Sequence, residues 1–284
     1  EAARQPRLPR YCDLLAQATV RLSSKPASSR EIATIADEIL PNHAAPLVVR
    51  ARASVQLRDY EAAALDFLEA QKRDPRGVEE PLALFDMALA FRNSGRHALA
   101  LDAYRVLVPR ISLLPTSQHR GSVLLQAAAL SMSLGDVGLP ESLALLSEAR
   151  RLPVSRLDRD ISGTLALASD RAGHADQARA ALEQVLRAGS PLPFSGRSSN
   201  EFDYLADPAD QYAMEALVVE ATDSKKSIEL WERYLASTQL EFYKAHARKH
   251  IEALKKGPVR MVRPTISPTP PTAGKAPNPA TPRK

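Results

Sequence analysis

The sequence predicts an all-α chain of stacked antiparallel helix pairs, on three observations. Apolar and alanine positions recur at spacings of three and four through residues 10–256, as in Leu82, Phe85, Leu89 and in Leu143, Leu146, Ala149. That is the stripe of a helix that buries one face. Strand-like alternation is nearly absent and aromatic residues are only 5% of the chain, whereas strands draw on β-branched and aromatic runs. A small–bulky–small pattern, complete at Ala63–Phe67–Ala70, also recurs in weaker form at helix-pair spacing, six units in all, the signature of a repeat architecture.

Taken in order, the pattern reads Ser29–Ala33–Ala36–Pro41, Ala63–Phe67–Ala70–Pro75, Ala100–Tyr104–Leu107, Ser142–Leu146–Ala149–Pro153, Ala178–Leu182–Val185 and Ser227–Trp231–Tyr234. The starting residues lie 34, 37, 42, 36 and 49 apart. A second small residue stands 12 earlier in three units (Ala51, Ala88, Ala166), and Ala128 stands 14 before Ser142. Two helices approach to ~8–10 Å only where such side chains meet at the crossing. Gln17 and Glu215 occupy the corresponding places in the first and last units, so the packing of the two ends is expected to depart from the rest. Gly95 and Gly173 mark turns. The stretch from Leu240 to Lys256 predicts a final helix, with Phe242, Ala245, Ile251 and Leu254 inward and Lys244, Arg248, Lys249 and Lys255 in water. A solenoid needs such a polar cap.

Three segments follow: a flexible stretch 1–9, the helical array 10–256, and a disordered, Pro-rich basic tail 257–284. The tail holds eight prolines, and its five cations (Arg260, Arg263, Lys275, Arg283, Lys284) with no acid equal the whole net charge of +5. The remaining residues therefore balance, so the charge is no argument for nucleic-acid binding. Residues 189–207, with Phe194, Phe202 and Tyr204, form a long connection that is either functional or stapled down by its aromatics. The longest uncharged helical stretch, Gly121 to Gly135, is shorter than the ~20 apolar residues a membrane span needs. The chain begins at Glu1 rather than Met. This predicts a removed leader or a trimmed end, and a periplasmic or envelope location if that leader was a signal peptide, otherwise a cytoplasmic one.

Chemistry is sparse. No phosphate-cradling loop, dinucleotide turn, nucleophile elbow or helical zinc-protease motif occurs, so no cofactor and no catalytic residue is assigned. The lone Cys12 forms no internal disulfide and reads as a buried structural thiol. His246 and His250 stand four apart and could share a metal, but no third ligand is evident. Glu79, Glu80, Asp158 and Asp160 read as helix-start carboxylates.

The repeating block resembles the tetratricopeptide repeat family over about residues 10–255, best at 44–75, where Ala51, Tyr60, Ala63, Phe67, Ala70 and Pro75 are in register. The resemblance implies a right-handed α-solenoid of about six helix pairs. It also implies that the first helix of each pair lines a concave groove receiving a peptide or helix. By register the groove candidates are Arg52, Gln56, Phe85, Arg92, Asn93 and Arg171, with Leu14, Val48, Val55, Leu89, Leu125, Met132, Leu167 and Tyr212 around them. The three arginines are expected to reach water or an anionic partner. One family subclass grips a terminal carboxylate with lysine and asparagine, which Val48 and Arg52 followed by Asp86 do not reproduce. The expected function is a non-catalytic scaffold or adaptor for a protein partner. The alternative is an exported envelope component whose basic tail contacts an anionic partner.

Overall fold

A computed structural model describes residues 7–187 and 204–257. The expectations for residues 1–6, for Phe194 and Phe202 and for the tail beyond Gly257 lie outside the described residues. Among the described residues there are thirteen α-helices and no strand. They are α1 (Leu8–Arg21), α2 (Pro26–Ile39), α3 (Ala44–Gln56), α4 (Tyr60–Arg73), α5 (Pro81–Asn93), α6 (His97–Leu107), α7 (Ser117–Met132), α8 (Leu139–Ala149), α9 (Asp158–Arg171), α10 (Ala175–Arg187), α11 (Asp210–Val219), α12 (Ser224–Ser237) and α13 (Glu241–Lys255). The first twelve form six hairpins, and first helices of successive pairs also touch, as α3 does α5 and α9 does α11. This is the expected all-α solenoid.

The small residues do what their spacing requires. Ala51, Ala63, Ala88, Ala100, Ala128, Ser142 and Ala166 have no solvent exposure. The bulky residues one turn on (Phe67, Tyr104, Leu146, Trp231) are buried in the shared core. The end hairpins reach the same close approach one residue out of step. There the small partners are Ala18 and Ala216, fully buried, not Gln17 and Glu215. Ser29 Oγ donates to the Ala18 carbonyl at 2.7 Å, and Ser227 Oγ to the Ala216 carbonyl at 3.0 Å. Each serine thus satisfies its hydroxyl across the helix crossing, which lets a polar residue stand where alanine serves elsewhere.

Turns keep the same register. Arg58, Gly95, Gly135 and Gly173, each seven residues after the small residue of a first helix, have φ of 61°, 76°, 73° and 75°. Glycine takes this left-handed turn without the Cβ clash. Asp59, Arg96 and His174 then close it with backbone bonds to Ser54, Phe91 and Ser169. Ion pairs about one repeat apart join successive pairs: Arg96 forks onto Glu61 (2.7 and 2.7 Å) and Arg105 onto Glu141 (2.9 and 2.7 Å). Such exposed pairs contribute little to stability, and they bridge neighbouring hairpins. The 42-residue interval reflects a 3-10 turn, Val108–Leu113, packed against α5, α6 and α7.

Ala63→Leu, inserted into a crossing with no exposure, is expected to cost about 1–3 kcal/mol by overpacking. Lys249→Ala, on the exposed side of α13, should stay within about 0.5 kcal/mol of the parent. Urea denaturation of the two variants beside the parent checks both.

Candidate functional site

Two helices carry most of the expected groove residues. On α3, Arg52 Nε donates to Asp86 Oδ2 of α5 at 2.8 Å, and its NH1 reaches Glu80 at 3.5 Å. Glu80 also caps α5, accepting from the backbone N–H of Leu82 and Ala83, as expected of a helix-start carboxylate. The Arg52 charge is therefore already met inside the chain and needs no anionic partner. Burial pushes the Asp86 carboxyl above its usual range, with Arg52 opposing. Gln56 and Asn93 are exposed where α3 and α5 end, and Phe85 and Leu89 are half-buried along α5. Phe85 meets the edge of His119 at 5.7 Å. Arg92 is buried, and its NH2 donates to Asn93 Oδ1 at 3.3 Å.

The corresponding residues farther along are covered. Leu125, Met132 and Leu167 are 2% exposed or less, and Arg171 departs most from expectation. Its side chain is only 2% exposed and meets residues of α11, α12 and α13. Its guanidinium forks onto Asp210 at the start of α11 and donates to Tyr234 Oη of α12 at 3.0 Å. It also lies 3.8 Å from the ring centroid of Tyr243 on α13, whose hydroxyl donates to the Met132 carbonyl at the end of α7. Burial works against the arginine charge, but Asp210 prevails and holds the guanidinium pKa above its ordinary value. Arg171 is thus an internal anchor, not a groove residue.

This anchor also sets which face of α13 turns inward, and it is not the face expected from the sequence. The inward stripe of α13 is Tyr243, Ala247, Ile251 and Leu254, while Phe242 is 50% exposed and Ala245 is exposed. Tyr243 takes the inner place because its ring faces Arg171 and its hydroxyl satisfies a carbonyl, which Phe242 cannot do. The final helix is therefore more than a polar cap. It lies across the ends of α7 and α9.

One turn farther along, α13 brings titratable groups together. His246 Nε2 lies 2.7 Å and His250 Nε2 3.2 Å from the same oxygen, Asp170 Oδ2, and the two ring nitrogens are 3.3 Å apart. His250 Nδ1 lies 3.1 Å from Glu220, just after α11, and Trp231 stacks on the His250 ring at 4.7 Å. Burial disfavours the charged imidazole, but Asp170 and Glu220 outweigh it and hold the His250 pKa up to about 10. Burial likewise raises Asp170, and hydrogen bonds from the two histidines bring it down to about 2. Sequence spacing showed the histidine pair but not Asp170 or Glu220, which lie 30–80 residues away in sequence. Cys12 is exposed, not buried, because it falls on the outer side of α1.

A family model described as the tetratricopeptide repeat matches residues 48–114, the span from α3 to the turn after α6. Residues 48–114 carry tetratricopeptide repeats. Among solved structures, this chain is similar to the assembly chaperone of RpL4 (Acl4, residues 1–338), at 16% identity over 87% of this chain and 98% of that one, TM-score 0.51. It is also similar to Pseudomonas aeruginosa PilF, at 13% identity over 86% and 100%, TM-score 0.49. A third is YrrB, described as a TPR protein with an unusual peptide-binding site, at 15% identity over 76% and 97%, TM-score 0.46. At these identities the likeness concerns the fold alone. No curated protein sequence matches the chain. No helix of the described residues is long and apolar enough to cross a membrane.

Proposed function

We propose that this repeat array is a non-catalytic interaction scaffold, and that a peptide or helix from a protein partner docks across α3 and α5. One observation supports it above others. Phe85 and Leu89 stay only half-buried along α5, and the amides Gln56 and Asn93 are exposed where α3 and α5 end, while the equivalent surface at the ends of α7 and α9 is covered by the chain's own α13. An aromatic anchor flanked by amides is a common way to fix a peptide: the ring supplies burial and the amides pair with its backbone. Arg52 and Arg92 shape the floor and do not act as free charges.

Peptide display against the full chain supplies a ligand for the test. For the selected peptide, Phe85→Ala is expected to weaken binding at least tenfold, about 1.4 kcal/mol or more, and Asn93→Ala severalfold, with Lys249→Ala unchanged. Fluorescence anisotropy reads all three. Unaltered affinity in both Phe85→Ala and Asn93→Ala would sink the reading. Arg52→Glu is a poor probe, because it would leave Asp86 buried and facing a like charge.

A further inference from the structure

We infer that Asp170, His246 and His250 form a binding site for a divalent transition ion of the zinc class, which fastens the C-terminal helix to α9. The inference is independent of the peptide-docking reading.

The three ligand atoms converge from two helices. His246 and His250, four apart on α13, share one helix face, and Asp170 closes the set from the end of α9. Zinc bound at ~2.0–2.1 Å in a tetrahedral site separates its ligand atoms by about 3.3 Å. The two histidine nitrogens lie 3.3 Å apart, and His250 Nε2 stands 3.2 Å from Asp170 Oδ2. The remaining edge, His246 to Asp170, is 2.7 Å. A triangle with these sides has a point about 2.0–2.1 Å from every corner, about 1 Å off its plane, so a cation fits without moving the helices.

The supporting groups fit a metal as well. Glu220 lies 3.1 Å from His250 Nδ1, and the tautomer that donates Nδ1–H to it leaves the Nε2 lone pair for the metal. Trp231, stacked on the ring, fixes its plane. Asp170 and Glu220 together create a negative field that acts on a dication with twice the force it exerts on a proton. Two imidazoles and one carboxylate suit zinc, whereas calcium and magnesium take oxygen ligands. Asp170 and His250 also border an open cavity of about 240 Å³ lined by Leu182, Leu217 and Leu254, where water or a small ligand can complete the coordination.

The rival arrangement is a proton-bridged cluster with His250 as an imidazolium between two carboxylates. Titration separates the two. Tag-free full chain, stripped with a chelator, is titrated with zinc chloride by calorimetry at pH 7.5. One ion per chain is expected, with at least a tenfold loss of affinity in His246→Ala and in Asp170→Asn and none in Lys249→Ala. Zinc should also raise the midpoint of thermal unfolding in the parent but not in His246→Ala. Cobalt in place of zinc should give the visible absorption of a tetrahedral site. The far-ultraviolet dichroism of each variant confirms that it is folded. Absence of saturable binding in the parent, or undiminished affinity in folded His246→Ala, overturns the site in favour of the proton-bridged cluster.

Discussion

Asp210→Ala is expected to lower the unfolding free energy by about 3–5 kcal/mol, one of the two largest effects of any single substitution considered. Both side chains of the Arg171–Asp210 pair are 3% exposed or less. Removing the carboxylate strands a guanidinium that water cannot reach, with only the Tyr234 hydroxyl and the Tyr243 ring left beside it. The loss also reaches α7, because Tyr243 is held between Arg171 and the Met132 carbonyl. The double variant Arg171→Met with Asp210→Ala should recover much of the loss, since an apolar pair of similar volume has no charge to leave unsatisfied. Urea denaturation of the single and double variants measures both. A single variant within 1 kcal/mol of the parent would mean that water reaches Arg171 and that α13 does not seal this end.

Gly138→Ala should match or exceed that loss locally. A Cβ at Gly138 would lie 1.7 Å from the carbonyl oxygen of Ser131 and 2.7 Å from its carbon. Both clashing atoms are backbone, so no rotamer change relieves them. The last turn of α7 must move away from the start of α8. The expected cost is above the about 1–3 kcal/mol usual for overpacking. Gly121→Ala is a useful contrast, because its Cβ would meet only the side chains of Val154 and Leu157, at 3.1 Å and beyond, and these can shift. If Gly138→Ala melts with the parent, the α7–α8 turn has a different path from the one described.

How much of this was legible in the sequence depends on the range of the interactions. Alanine notches, turn glycines and the bulky residue one turn on are local in sequence, and Ala51, Ala63, Phe67 and Gly95 stand where their spacing puts them. The end hairpins hid their notches by one residue, since Ser29 and Ser227 bond across to Ala18 and Ala216 and a polar residue reads poorly as a packing contact. Phe85, Gln56 and Asn93 come from carrying the family resemblance over in register, and the docking role proposed for them rests on that resemblance and on their exposure. The role of Arg171 could not be reached this way, because its partners at 210, 234 and 243 are fixed by how α11, α12 and α13 fold back, which no local period encodes. The same holds for Asp170 and Glu220, whose roles exist only once α13 lies against them. Tyr243 did carry a signal: a tyrosine beside a phenylalanine in an amphipathic helix has a hydroxyl to satisfy, and a carbonyl at a helix end can accept it.

In the proposed division of labour, α13 closes one half of the array and α3 and α5 are left for a partner. Hydrogen exchange on the full chain, with and without a display-selected peptide, tests it most directly. Without peptide, the amides from Tyr243 to Leu254 should exchange as slowly as those of α7. With peptide, added protection should fall on residues 44–56 and 81–93. Fast exchange throughout 243–254, or peptide protection centred on 117–171, would contradict it.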